Sequence, residues 1–104
     1  MGYYVTLEDA KLNANNLKEL PEEVSDFWSI RRGRVKPEDY FFKWRGGEWF
    51  EEKLVTLAKL GVTGEVRMVG EGGAPFWKYV LEKGKVRVYD GEVVYKSTPR
   101  RVLD

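Results

Sequence analysis

The sequence predicts a two-layer α+β fold, in which two helices pack on one face of a mostly antiparallel sheet. Three observations predict it. Two stretches have apolar residues at helical spacing, β-branched and aromatic runs fill the C-terminal half, and very short glycine-containing connections join those runs. The elements are expected in the order β-α-β-α-β-β-β-β. The length of 104 residues fits one domain, residues 1–104.

The N-terminal part is predicted to hold one strand and one helix. The run YYVTL at 3–7 is aromatic and β-branched, which is typical of a strand, and the residues after it are typical of turns and caps. Further on, four apolar residues share one helical face: Leu20, Val24, Phe27 and Trp28. Because Pro21 suits a first helical turn, we expect a helix at about 21–29 and an exposed connection at 31–39.

The stretch FFKWRGGEWF, residues 41–50, joins a predicted strand to the clearest predicted helix. Alternation along 40–44 would bury Tyr40, Phe42 and Trp44 on one face. The helix at 48–60 has an apolar stripe, Phe50, Leu54, Leu57 and Ala58, and Gly61 is placed to cap it. Packing therefore accounts for most of the rings. Rings interleaved with positive charge are also typical of single-strand binding, with Trp44 or Phe41 as the stacking ring.

The C-terminal half is predicted to be an antiparallel meander. Strand-like runs lie at 64–69, 76–82, 85–90 and 92–96. The connections Lys-Gly and Asp-Gly between the last three runs are hairpin signals. The glycine-rich loop at 70–75 precedes a strand rather than a helix, which disfavours a phosphate-binding loop. Residues 97–104 are expected to be a polar tail.

Two parts of the chain carry a resemblance. The opening MGYYVTLEDA and the later GEGGAPFWKYVLEKGKVRVYDGEVVY resemble a group of small uncharacterised bacterial and phage-type proteins. Those proteins begin with a similar Tyr-Tyr-hydrophobic strand and end in a Trp-containing meander. The resemblance implies the same α+β fold, and it implies no activity, cofactor or site.

The composition disfavours catalysis. The sequence has no Cys and no His, so thiolate nucleophiles, the usual Cys/His zinc sites and histidine acid–base chemistry are excluded. Neighbouring carboxylates such as Glu22-Glu23 and Glu51-Glu52 do not face each other on a helix. We therefore expect no enzyme and no cofactor. No apolar run approaches the length of a membrane span, and a cytoplasmic protein is the expectation.

The principal functional hypothesis is a binding module whose partner is another protein or a second copy of the chain. The 18 basic and 17 acidic residues nearly cancel, giving a net charge of +1, which favours such a partner over a polyanion. The face or edge of the meander is the expected contact surface, with the adjoining loop at 70–75. Its proposed contacts are Lys78, Arg87, Tyr89 and Tyr95, because Tyr and Arg are enriched at protein interfaces.

The alternative hypothesis is a nucleic-acid-binding domain. The basic residues of the 31–36 loop are Arg31, Arg32, Arg34 and Lys36, and Lys43 and Arg45 flank the following turn. A dense run of positive charge is typical of a polyanion contact. The interpretation without a binding role is a solvated loop whose cations pair with nearby acids, Asp26 before it and Glu38 and Asp39 after it.

Overall fold

The structure is a computed structural model that describes residues 3–44, 47–71, 75–91 and 99–103. In chain order the elements are β1 (Tyr4–Asn13), α1 (Glu22–Ser25), β2 (Trp28–Arg31), β3 (Arg34–Pro37), β4 (Phe41–Lys43), α2 (Glu48–Lys59), β5 (Thr63–Gly70), β6 (Phe76–Glu82), β7 (Lys85–Gly91) and β8 (Arg101–Leu103). Within these residues the strands form one sheet, and all their pairings are antiparallel. The α+β class with an antiparallel sheet and two helices is confirmed.

Strand β1 is central in the sheet, whose order is β2-β3-β1-β5-β6-β7-β8. One edge of β1 pairs along its length with β5. Its other edge is shared by two short strands, since Leu12 lies opposite Val35 of β3 and Val5 lies opposite Phe42 of β4. One strand therefore connects the hairpin β2–β3, the strand β4 and the C-terminal meander.

Strand β1 is longer than the predicted strand at 3–7. The register with β5 shifts between Leu7 and Asp9, and the buried positions continue at Ala10 and Leu12. A β-bulge adds one residue to a strand and so reverses the phase of its alternation. The prediction of a turn after residue 7 was wrong. The bulge shifts the alternation of buried and exposed residues by one position, so the sequence does not show β1 as one continuous strand.

A hairpin occupies the region predicted as the end of a helix and an exposed connection. Helix α1 ends at Ser25, so the predicted helix at 21–29 was too long. Strands β2 and β3 pair from Trp28 opposite Pro37 to Arg31 opposite Arg34. Trp28 and Val35 are buried, and the alternate positions hold Ser29, Arg31, Arg34 and Lys36. Polar and charged residues at the alternate positions obscured the strand period. The observed order of elements therefore includes this hairpin between α1 and β4.

The stretch that joins β4 to α2 is mostly packed, as predicted. Phe42 is buried, Trp44 is half-buried, and the whole apolar stripe of α2 is buried. Gly47 precedes α2 with φ +84°, and an added Cβ there would collide with the Trp44 ring. The prediction that Tyr40 is buried was wrong, because Tyr40 precedes the first residue of β4 and is exposed.

The meander follows the prediction through β5, β6 and β7. Trp77, Tyr79 and Leu81 form its buried face. The predicted strand at 92–96 lies outside the described residues. The expectation of a polar tail was wrong for residues 101–103, which form β8 on the edge of β7.

The core lies between the sheet and α2. Helix α2 contacts β6 and β7, and α1 contacts α2. The Phe27 ring lies between 5.2 and 5.8 Å from four others, those of Trp28, Phe42, Trp49 and Phe50. Lys53 fixes the two helices together, because its Nζ donates to the Glu23 carbonyl (2.8 Å) and to Asp26 (2.9 Å). This arrangement buries one face of the sheet and leaves the opposite face open.

Candidate functional site

The outer face of the sheet, the side away from the helices and the core, is strongly cationic. On each strand the residues that alternate with buried positions lie on this face. Nine of them are cationic: Lys11, Arg31, Arg34, Lys36, Lys43, Arg67, Lys78, Lys85 and Arg87. Four acids accompany them: Glu8 and Asp9 at the β1 bulge, Glu65 and Glu82. The described part of the outer face is therefore positively charged.

The helical layer on the other side of the sheet has the opposite charge. Helices α1 and α2 contain five glutamates, Glu22, Glu23, Glu48, Glu51 and Glu52, and two lysines, Lys53 and Lys59. The nearly neutral composition thus conceals two faces of opposite sign. The argument from net charge against a polyanion loses its force, because a ligand responds to the local field of the face it approaches.

The sheet register brings both predicted sets of site residues onto the outer face. Lys78 lies opposite Arg67 on one side and Tyr89 on the other. At the other end of the sheet, Arg34 lies opposite both Arg31 and Asn13. The predicted contacts Arg45 and Tyr95 lie outside the described residues. Two sets that the sequence suggested as alternatives belong to one surface.

The cations of the meander are engaged with neighbouring side chains. Arg87 Nη1 lies 3.1 Å from Glu82. Glu65 is shared, with one oxygen 3.0 Å from Arg67 Nε and the other 3.8 Å from Lys78 Nζ. Lys78 Nζ also lies 5.6 Å from the centre of the Tyr89 ring. Cross-strand pairing within the sheet therefore explains much of this part of the face.

The cations of the basic hairpin, which we define as residues 28–37, have no such explanation. Its four cations are exposed, and within the described residues none of them makes an ion pair: Arg31, Arg32, Arg34 and Lys36. The nearby acid Asp26 pairs instead with Lys53, at 2.9 Å. The described structure thus does not show the expected pairing of the loop cations with local acids.

Two features of the basic hairpin disfavour its folding, a like-charged cross-strand pair and a non-glycine residue with positive φ in the turn. Arg31 and Arg34 are direct cross-strand partners, and like charges in that position destabilise a hairpin. The turn between them has φ +51° at Arg32 and +77° at Gly33. Two positive φ angles favour Asn-Gly, and arginine is a costly residue at the first position. Folding alone does not account for three arginines at this tip.

The opposite end of β1 carries two exposed aromatic rings that face outward. Tyr4 and Phe41 are 39% and 59% exposed. Their ring centroids are 5.2 Å apart and their planes differ by only 12°, so the rings are stacked. Tyr4 pairs in register with Lys43, which places a cation beside the stack. The sequence predicted Phe41 as one stacking candidate but gave no role to Tyr4.

A cavity lies on the helical side of the sheet. It has a volume of about 310 Å³ and is lined by Trp44, Trp77 and Tyr79 among others. The Tyr79 hydroxyl donates to Glu51 Oε2 at 2.7 Å, and Arg101 donates to the same oxygen at 2.6 Å. Burial, followed by the charge of Glu51, raises the pKa of Tyr79 well above its usual range. These polar groups satisfy one another and fasten β6 and β8 to α2.

The described residues include no group of three or more Cys, His, Asp or Glu side chains placed to hold a metal ion. None of the described helices has the length and apolar character needed to cross a membrane. Comparison of the chain with protein-family models, curated proteins and solved structures finds no match.

Proposed function

We propose that this protein binds nucleic acid through the outer face of its sheet, with the basic hairpin supplying the main phosphate contacts. The observation that carries the proposal is the set of exposed, unpaired arginines and lysine on that hairpin. A phosphate backbone offers closely spaced negative charges, and Arg and Lys that neutralise them release condensed counterions. Such a ligand would also relieve the repulsion between Arg31 and Arg34.

The charge distribution favours a polyanion over a protein partner. Protein interfaces are depleted of charge at their centre, whereas the centre of this face contains three cations and their two acidic partners: Lys11, Arg67, Lys78, Asp9 and Glu65. The acidic helical layer would repel phosphate, so a nucleic acid would be directed to one side of the molecule. The protein-binding role of Lys78, Arg87 and Tyr89 stays a prediction, and their proposed role here is to continue the cationic surface.

Fluorescence anisotropy of labelled oligonucleotides tests the proposal. Single-stranded and duplex probes are titrated between roughly 50 and 200 mM salt, a range over which counterion release weakens binding steeply. We expect micromolar or tighter binding at low salt. In the double variant Arg31→Ala with Arg34→Ala, the slope of log K against log salt should become shallower by about 0.7 to 0.9 for each lost phosphate contact.

A matched control removes the same charge elsewhere. Lys18, which precedes α1, and Lys59, at the end of α2, are exposed and make no ion pair within the described residues. The double variant Lys18→Ala with Lys59→Ala should leave the salt slope unchanged. Equal losses in both double variants would indicate a dependence on net charge alone and would contradict a site on the hairpin. No binding of either probe at low salt would refute the proposed function.

A further inference from the structure

The stacked pair formed by Tyr4 and Phe41 is the feature that nucleic-acid binding through phosphates leaves unexplained. Both rings lie on the outer face. The next residue along each strand, Val5 in β1 and Phe42 in β4, is buried on the opposite face. Phe41 has no other ring contact among the described residues. Because Phe41 is 59% exposed, ring surface remains available to a planar group from solution, and Phe is a residue that proteins usually bury.

A structural role explains the pair only in part. Strand β4 pairs with β1 through three residue pairs, and a cross-strand ring contact helps to hold so short a strand. A β-branched residue would hold it similarly without exposing a ring. The ring itself offers something a β-branched residue lacks, a flat π surface on which any nucleobase can stack.

The spacing between the pair and the basic hairpin suits an extended ligand. β1 has ten residues, and at about 3.3 Å per residue its ends are about 30 Å apart. The hairpin pairs with one end of β1 and β4 with the other. Between them on the same face lie Lys11, which is 3.6 Å from Asp9, and the acids of the bulge. Cations beside an exposed ring, along one track, are the elements with which proteins bind single strands.

We propose that the protein selects single-stranded nucleic acid, and that an unpaired base stacks on the exposed face of Phe41 to extend the Tyr4–Phe41 stack. This inference rests on the proposed function and adds a ligand class to it. The hairpin arginines contact phosphates and do not distinguish single strands from duplexes. Phe41 does distinguish them, because bases inside a duplex are already stacked and their faces are covered.

The test compares two probes with the same number of phosphates. One is oligothymidylate of about 12 nucleotides, within the site sizes known for single-strand binding folds, and the other is an abasic strand of equal length. We expect the wild-type protein to bind the abasic strand about 5- to 150-fold more weakly, the range that stacking of a base on a ring provides. A duplex and an oligouridylate complete the set, and the uridylate shows whether the base stack also accepts RNA.

Phe41→Val keeps a good strand residue and removes the ring. In this variant the preference for the thymidylate strand over the abasic strand should be much smaller, because only the Tyr4 ring is left to stack, and the salt slope should be unchanged, since no phosphate contact is lost. Phe41→Tyr restores a ring and should restore the preference for the strand that carries bases. A merely structural role of the pair would instead shift all probes together and would lower the midpoint of unfolding.

The outcomes separate this inference from the proposed function. If wild-type protein binds thymidylate, abasic strand and duplex with equal affinity, the stacking inference is wrong, while the hairpin variants still test the phosphate contacts. That comparison uses the unmodified protein and holds even if Phe41→Val fails to fold. If no probe binds at low salt, the proposed function fails and the inference fails with it.

Discussion

Reversing one charge in the basic hairpin should make the protein more stable and a weaker binder. Arg31 and Arg34 lie directly opposite each other next to the turn. Arg34→Glu replaces a like-charged cross-strand pair with an opposite-charged one. A cross-strand charge pair is worth roughly 0.2 to 1 kcal/mol, and removing the repulsion adds a similar amount. Because both side chains are exposed, we expect a net gain of about 1 kcal/mol in the free energy of unfolding.

The same substitution should reduce affinity for a single strand. Each phosphate contact contributes about 0.7 to the slope of log K against log salt, which corresponds to about a fivefold loss of affinity at roughly 0.1 M salt. The introduced carboxylate would repel the phosphate backbone and add to that loss. Stability and affinity thus move in opposite directions, as expected where a charge is retained for binding rather than for folding.

Urea unfolding followed by tryptophan fluorescence measures the first effect, since the chain has four Trp. A gain of about 1 kcal/mol corresponds to a midpoint of thermal unfolding about 4 °C higher for a domain of this size. Anisotropy with a single-stranded probe measures the second effect.

Lys59→Glu is the control with the same charge change, and it should lose stability, because Lys59 complements the dipole at the end of α2. Its affinity should remain within about twofold of wild type, since counterion release depends on the lost phosphate contacts. A rise in stability without any loss of affinity would refute the argument that the repulsion is tolerated for binding.

Two further predictions concern the scaffold. Gly64→Ala should destabilise the protein by more than about 2 kcal/mol in urea unfolding, since φ is +131° and the new Cβ would collide with the Lys11 carbonyl oxygen. Gly84→Ala, with φ +76° and open space around it, should cost about 1 kcal/mol, and equal losses would disprove the steric argument. Tyr79→Phe should cost about 1.5 to 3 kcal/mol, because it removes a hydrogen bond to Glu51. The raised pKa of Tyr79 keeps its proton on in the folded state at pH values where the unfolded chain releases it. Wild-type stability should therefore fall as the pH rises above 10, by up to about 1.4 kcal/mol per pH unit more than that of Tyr79→Phe.

The elements that the sequence predicted well are those with a long, uninterrupted period. Helix α2 buries the expected stripe from Phe50 to Ala58, and β6, at the predicted position, buries Trp77, Tyr79 and Leu81. In both, many residues repeat one pattern and the signal accumulates along the element. The bulge in β1 breaks the alternation at Leu7 and Asp9, so neither half shows its full length.

The hairpin was missed for a different reason. Its alternate positions hold Ser29, Arg31, Arg34 and Lys36, which lower the mean hydropathy of the segment. Only four residues on each strand are available to show a period. Of the four apolar residues at helical spacing, Val24, Phe27 and Trp28 are buried and Leu20 is partly buried. Their spacing fits one helical face, yet Trp28 is a buried residue of strand β2. Tertiary pairing with β3 overrides the local helical pattern.

The sequence identified most residues of the candidate site, but only the sheet register shows that they share one face. The sequence identified Lys78, Arg87 and Tyr89 in the meander and the cations of the 31–36 segment as two separate surfaces. Which face each strand presents depends on long-range pairing, above all on the pairing of β3 and β4 with the same edge of β1. No local pattern contains that information.

The opposite charges of the two layers bear on how a nucleic acid would approach. A chain with a uniform charge of +1 would attract a phosphate backbone only weakly from any direction. In this fold the glutamates of α1 and α2 lie behind the sheet and the hairpin cations in front of it. The resulting field turns the outer face towards the ligand before contact and so raises the association rate, an effect that salt screens. A stacked base, by contrast, acts only after contact and slows dissociation. Loss of hairpin charge should therefore appear mainly in the association rate, and loss of the Phe41 ring mainly in the dissociation rate.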